Sequence, residues 1–100
     1  MAVYDDPNVP IVVKVGESFT ISLESNPTTG YSWHAEYDSS FVDESKPNFM
    51  PISQALGAGG KELFEFQTKR VGVTVITLKQ SRSWESEIKK TIIFKVDIKS

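Results

Sequence analysis

The stretch Thr91-Ile92-Ile93-Phe94-Lys95-Val96-Asp97-Ile98 decides the fold of this 100-residue chain. Every second position of this stretch holds a large apolar residue, namely Ile92, Phe94, Val96 and Ile98. The positions between them hold charged or neutral residues. A period of two places the apolar residues on one face of a β-strand, whereas a helix would need a period near 3.6. The stretch therefore predicts a half-buried strand, and no part of the chain shows the pattern of a long helix.

Six further runs along the chain are rich in β-branched and aromatic residues or alternate in the same way. They are Val9–Val15, Phe19–Glu24, Tyr31–Tyr37, Phe41–Met50, Leu63–Thr68 and Val73–Gln80. Pro10 marks the first run as an edge strand, and Pro47 and Pro51 limit the fourth to an edge or a broken strand. Seven strands at these spacings predict an all-β fold, a β-sandwich of about seven antiparallel strands in two sheets. The length predicts a single domain over residues 1–100.

The same alternation predicts which side chains form the core between the two sheets. The residues expected to be buried are Phe19, Ile21, Leu23, Trp33, Phe64, Phe66, Ile76, Leu78, Phe94 and Val96.

Composition excludes several classes of protein. The net charge is -2, with acids and bases interleaved, which argues against a nucleic-acid-binding surface. No apolar run approaches the roughly 18–20 residues of a membrane span. The absence of cysteine excludes disulfides and favours a reducing compartment. Met1–Asp6 lacks the basic and apolar regions of a signal peptide, so we expect a cytoplasmic protein or a mature form lacking its signal.

The residues of an enzyme active site are missing from the sequence. His34 is the only histidine and falls on the predicted solvent face, so no second His or Cys can complete a zinc site. There is no nucleophile elbow, and paired acids such as Asp43-Glu44 lack an apolar setting that would raise a pKa. We therefore expect no catalytic residue, no metal and no cofactor.

Strand parity predicts that three unusual loops lie together. If successive strands alternate in direction, the connections after the second, fourth and sixth strands share one end of the sandwich. These connections are Asn26 to Gly30, Gln54 to Gly60 and Arg82 to Glu87. The connections at the other end are ordinary turns, namely Gly16-Glu17, Asp38 to Ser40 and Lys69 to Gly72. Immunoglobulin variable domains present their binding loops in this way.

Each of these loops is chemically distinctive, although each also has a plain structural interpretation. The first loop, Asn26-Pro27-Thr28-Thr29-Gly30-Tyr31, is a rigid turn that presents small polar side chains. The second loop, Leu56-Gly57-Ala58-Gly59-Gly60, lets a partner approach the backbone, or is simply a flexible hairpin turn. The third loop, Arg82-Ser83-Trp84, has the composition of a binding hot spot, unless Trp84 folds back onto the sandwich with Arg82 stacked on it.

Together the three loops resemble the chagasin-type inhibitors of cysteine peptidases. That family is marked by Asn-Pro-Thr-Thr-Gly-Tyr, Gly-x-Gly-Gly and Arg-x-Trp loops in this order, and the resemblance covers nearly the whole chain. Ser83 departs from the family's usual Arg-Pro-Trp, which leaves the third loop less stiff.

The resemblance implies an immunoglobulin-like sandwich and reversible, tight inhibition of papain-like cysteine peptidases by a monomer. It also implies that the three loops bind the peptidase. By this analogy Thr29 lies nearest the catalytic Cys–His pair, the glycine loop lies on the substrate-binding side of the cleft, and Trp84 packs on the opposite flank.

Two other functions are compatible with a sandwich of this kind. One is an immunoglobulin-like adhesion or assembly module that uses the same loops on a non-peptidase partner. The other is a carbohydrate-binding sandwich, suggested by Tyr31, Trp33 and Trp84. The alternation of side chains along Tyr31–Tyr37 places Tyr31 and Trp33 on the inner face, which counts against carbohydrate binding.

Overall fold

Nine β-strands account for all the regular structure that the computed structural model of the chain describes, which comprises residues 2–25, 30–45, 48–51, 60–82, 84 and 87–100. The strands are β1 (Ala2–Tyr4), β2 (Ile11–Lys14), β3 (Ser18–Ser25), β4 (Tyr31–Tyr37), β5 (Val42–Glu44), β6 (Asn48–Pro51), β7 (Gly60–Thr68), β8 (Gly72–Arg82) and β9 (Ile88–Lys99). Over these residues we find no helix long and apolar enough to cross a bilayer.

The strands form two sheets that pack as a sandwich. The first sheet has the order β1-β3-β7-β5, with β6 also paired to β7, and the second sheet has the order β2-β9-β8-β4. The predicted all-β sandwich is thus confirmed. The run Val9–Val15 supplies only β2, which begins after Pro10 and lies at a sheet edge as predicted.

The strand count exceeds the predicted seven for two reasons. β1 has only three residues, too few for alternation to reveal it. The predicted strand Phe41–Met50 is broken into β5 and β6, which both pair with the edge of β7 that β3 leaves free. This is the broken edge strand that Pro47 and Pro51 indicate in the sequence.

Two strand pairs are parallel, whereas the other pairs are antiparallel as predicted. β1 runs parallel to β3, with Ala2 opposite Phe19, and β2 runs parallel to β9, with Ile11 opposite Val96. β5 and β6 run in the same direction, because both are antiparallel to β7. When they are counted as one broken strand, direction alternates along the chain, so β1 and β3 are two steps apart, β2 and β9 are six steps apart, and both pairs point the same way. When two such strands become neighbours in one sheet, they must pair in parallel.

The core lies between the sheets and contains all ten residues that alternation predicts. Ile11, Val13, Val42 and Ile98 are also buried there. Phe19 and Phe66 stack with ring centroids 5.7 Å apart, and the Tyr37 ring meets Phe66 edge-on at 5.3 Å. Such offset and edge-to-face contacts stabilise aromatic pairs beyond the burial of their area.

Thr68 ties β7 to the β2–β3 turn at the end of the sandwich opposite the three loops. Its side chain is buried, and its Oγ1 accepts the N–H of Gly16 at 2.9 Å. The same hydroxyl donates towards the carbonyl oxygens of Glu17 at 2.8 Å and Lys14 at 3.0 Å. One hydroxyl therefore adds side-chain hydrogen bonds to a turn whose backbone groups also bond to Thr68 and to one another.

We expect Thr68→Val to lower the free energy of unfolding by about 1 kcal/mol, the net value of a typical hydrogen bond. The substitution keeps the side-chain volume but leaves the backbone groups of the turn without the hydroxyl. Urea denaturation measures the change, and Thr68→Ser serves as a control that keeps the hydroxyl. Equal losses in both variants would show that the hydrogen bonds contribute nothing to stability.

Candidate functional site

The flanks of the three loops meet at one end of the sandwich, which we call the loop end. In the first sheet, Ser25 precedes the first loop and pairs with Gly60, which closes the second loop. Pro51, on the other side of β7, also pairs with Gly60. In the second sheet, Tyr31 at the end of the first loop pairs with Arg82 at the start of the third. Strand parity predicts this arrangement of the flanks.

Part of each predicted loop lies outside the described residues. These parts are Asn26, Pro27, Thr28 and Thr29 of the first loop, Leu56, Gly57, Ala58 and Gly59 of the second, and Ser83 of the third. The structure describes the remaining predicted site residues, which are Gly30, Tyr31, Gly60, Arg82 and Trp84.

Trp84 joins the third loop to the first. Its side chain is 68% exposed, yet its ring lies directly on Gly30. A Cβ at residue 30 would overlap Cη2 of that ring and lie 3.0 Å from Cζ3. Gly30 also has a φ of +83°, a conformation that side chains disfavour. Glycine is thus needed at position 30 for two reasons: the positive φ of the turn and the close packing of the Trp84 ring.

Arg82 lies between two aromatic rings. Its guanidinium carbon is 4.3 Å from the ring centroid of Tyr31 and 5.7 Å from that of Trp84. Both distances are within the range of cation–π attraction. Both interpretations of the third loop are therefore partly correct. Trp84 folds onto the end of the sandwich beside Arg82, and it still exposes most of its surface as a binding residue would.

Lys89 belongs to the same cluster, although the sequence analysis did not single it out. Its ammonium nitrogen is 4.3 Å from the ring centroid of Tyr31. The ladder between β8 and β9 pairs Gln80 with Lys90 and Ser81 with Ile88, so Lys89 is an extra residue in β9. Period-two alternation cannot reveal such a bulge, and Lys89-Lys90 reads in the sequence as two ordinary exposed lysines.

Trp33 anchors the base of the first loop across the sandwich. Its indole Nε1 donates to the carbonyl oxygen of Glu24 at 3.0 Å, and its backbone N–H donates to Oε2 of Glu62 at 3.2 Å. Because Trp33 is on β4 and both acceptors are in the first sheet, these bonds link the two sheets just below the loop. Partly buried bonds of this kind restrict the orientation of the strands from which the loop departs.

Side chains that could hold a metal do not come together in the part of the chain that the structure describes. Within the described ranges, no group of three His, Cys, Asp or Glu side chains is placed to hold a metal. A cleft of about 340 Å³ opens between the edges of β3 and β9, and residues of both charge signs line it, including Glu24, Lys61 and Lys90. His34 is exposed as predicted, and its Nε2 is 3.4 Å from the hydroxyl of Ser32.

Groups with a shifted pKa lie away from the loop end in the described part of the chain. Burial raises the pKa of the Tyr37 hydroxyl and of the Glu44 carboxyl. The expectation that Asp43-Glu44 lacks a setting that raises a pKa is therefore wrong for Glu44, which lies in β5. Hydrogen bonds from the hydroxyl and N–H of Ser40 lower the pKa of Asp38. Tyr37 and Asp38 are at the far end of β4 from Tyr31.

The aromatic rings of Tyr31, Trp33 and Trp84 do not form an open platform on which a sugar could stack. Trp33 is 6% exposed, and Tyr31 is half-buried with Arg82 and Lys89 on its ring. Trp84 alone of the three aromatic residues offers a large open face. The geometry therefore favours a protein surface as the partner over a carbohydrate.

Comparison with known sequences gives a family match over most of the chain. The family model described as Chagasin family peptidase inhibitor matches residues 12–98. Chagasin from Trypanosoma cruzi is 41% identical over 81 residues, which cover 74% of this chain and 73% of that protein.

Comparison with solved structures gives the same architecture. A cysteine protease inhibitor from Entamoeba histolytica superposes with a TM-score of 0.78 at 24% identity, covering 98% of this chain and 96% of that one. The protein PbICP-C, solved in complex with falcipain-2, superposes with a TM-score of 0.68 at 22% identity, covering 91% and 87%. At these identities the two structures establish the shared fold.

Proposed function

We propose that this chain, which belongs to the chagasin family of peptidase inhibitors, inhibits papain-like cysteine peptidases by placing the three loops of its loop end in and around the active-site cleft. Members of this family are protease inhibitors and not enzymes. The main support for this proposal is that the flanks of all three loops lie at one end of the sandwich. At this end Trp84 is exposed and its ring packs on Gly30.

The first loop is proposed as the wedge that enters the cleft. It departs from Ser25 and returns at Tyr31, and the hydrogen bonds of Trp33 fix the strands on both sides of it. We expect a loop between strands fixed in this way to lose little conformational freedom on binding, which lowers the cost of association. In the family pattern Thr29 lies nearest the catalytic Cys–His pair of the peptidase.

Inhibition is proposed to be reversible and to leave the protein intact. The chain has no cysteine that could form a covalent bond with the catalytic thiolate. The ring of Pro27 fixes its φ angle, and we expect the turn from Pro27 to Gly30 to keep its carbonyl carbons out of the geometry that nucleophilic attack requires. The cleft is then filled without offering a bond that the peptidase can cleave.

The test of this function is titration of papain with the purified protein, followed by dilution of the complex. We expect stoichiometric loss of activity, full recovery on dilution and an intact inhibitor on a denaturing gel. A serine peptidase provides the control and should remain active. Unaffected papain would overturn the proposal, and steady cleavage between Thr28 and Thr29 would identify the protein as a substrate.

The second loop is proposed to lie along the substrate-binding side of the cleft through its backbone. We expect Gly59→Phe to raise the inhibition constant about tenfold or more, or about 1.4 kcal/mol, because a bulky side chain blocks backbone approach. Val71→Phe adds similar bulk at an exposed site at the opposite end and should leave inhibition unchanged. Thermal melts of both variants should match the wild type. Equal inhibition by Gly59→Phe and wild type would remove this loop from the contact surface.

A further inference from the structure

A bulge in β9 lies next to the third loop. Bulges insert one residue into a strand and turn its side chain away from the regular alternation. Here the inserted residue is Lys89, between Ile88 and Lys90, which keep their partners on β8. The ammonium of Lys89 reaches the ring of Tyr31 on β4, although β8 lies between β4 and β9 in the sheet.

The bulge brings Lys89 against a closed set of contacts around the third loop. Lys89 lies 4.3 Å from the Tyr31 ring centroid, and Arg82 lies at the same distance from that centroid. Arg82 in turn lies 5.7 Å from the ring of Trp84, and Trp84 rests on Gly30. Gly30 is covalently bonded to Tyr31, so this set of contacts returns to the residue from which it began.

We propose that Lys89 is a positioning residue for inhibition. It fixes the ring of Tyr31, this ring holds Arg82, and Arg82 holds Trp84 on Gly30 in the orientation that meets the peptidase. The proposal rests on the proposed function of the loop end and adds a residue outside its three motifs. Ser83 supplies none of the stiffness of a proline in this loop, so the orientation of Trp84 depends on such contacts.

The contact of Lys89 acts before the peptidase arrives. A cation near an aromatic ring is attracted to the negative charge of the ring face, and the attraction is modest at exposed sites. Removing it frees the Tyr31 ring and, through Arg82, widens the range of orientations of Trp84 in the free protein. The complex then forms at a higher cost in conformational entropy, and its lifetime falls.

The first experiment measures dissociation of the inhibitor from immobilised papain. We expect Lys89→Ala to dissociate roughly two- to fivefold faster than wild type, the factor that an exposed cation–π contact supports. Lys89→Arg keeps the cation and should restore the wild-type rate. Lys90→Ala is the matched control, because it removes the same charge from the next position, which pairs with Gln80 and lines the neighbouring cleft, and its rate should not change.

The second experiment detects Trp84 in the free protein by acrylamide quenching of tryptophan fluorescence. Trp33 is 6% exposed, so the quenchable signal comes from Trp84. We expect a larger quenching constant for Lys89→Ala and wild-type values for Lys89→Arg and Lys90→Ala. Thermal melts verify that all variants are folded, as expected for an exposed lysine.

Each result decides the proposal. Wild-type dissociation and quenching in Lys89→Ala would overturn it. Faster dissociation with unchanged quenching would mean that Lys89 touches the peptidase itself, which also overturns a positioning role. If the wild-type protein fails to inhibit papain, the proposed function is wrong, and the quenching measurement still decides whether Lys89 orients Trp84.

Discussion

Truncation of Phe94 to alanine is expected to lower the free energy of unfolding by about 3–5 kcal/mol, the usual loss for a buried phenylalanine. Phe94 is fully buried at the centre of β9, opposite Ile76 on β8. Its ring fills the space between the sheets, and its loss leaves a cavity that two hydrogen-bonded sheets cannot readily close. Urea denaturation with a fixed m-value measures the loss.

Ile93→Ala is the matched control for this prediction. Ile93 is the preceding residue of the same strand, but it is 55% exposed on the outer face of the second sheet. Its truncation should cost about 1 kcal/mol or less, which is the span of strand propensity. If Phe94→Ala unfolds at the same urea concentration as Ile93→Ala, the assignment of inner and outer faces on β9 is wrong.

Trp84→Ala is expected to weaken binding to papain by about 2 kcal/mol or more, or about thirtyfold in the inhibition constant. Trp84 offers a large exposed apolar surface that is already seated on Gly30, so little ordering is needed on binding. Most of the change should appear as faster dissociation, as is usual for substitutions within one interface. Stopped-flow or surface-based kinetics separate the two rates.

Thr29→Ala provides the comparison for the tryptophan variant. It removes only a methyl and a hydroxyl group, so its loss in binding should be smaller than that of Trp84→Ala. Melting temperatures should not change with Trp84→Ala, because the ring lies outside the core. If inhibition is unchanged in Trp84→Ala, Thr29→Ala and Gly59→Phe alike, the contact surface lies elsewhere on the molecule.

Much of the core could be predicted because a strand has only two faces. Once Phe94 is assigned inward, parity assigns Val96 and Ile98 as well, and the structure buries all three. β1 escaped prediction because three residues are too few to show a period. The parallel pairing of β2 with β9 depends on which strands become neighbours, and local patterns contain no information about that.

The position of the candidate site was predictable to a similar extent, but its internal contacts were not. Three motifs and strand parity place the loop flanks at one end, as the pairing of Tyr31 with Arg82 shows. The seat of Trp84 on Gly30 and the contact of Lys89 with Tyr31 arise between residues far apart in the chain. One inserted residue in β9 creates the second contact, and an insertion shifts the alternation by which a face is assigned.

The pairing of Ile11 with Val96 has a consequence for how a cell makes this protein. The ribosome releases residue 11 long before residue 96, so β2 has no partner in the second sheet until β9 has also been synthesised. Contacts between such distant residues also form slowly, since a long stretch of chain must first be closed into a loop. The growing chain therefore emerges without a finished second sheet, and it can block a peptidase only after β9 has left the ribosome and paired with β2.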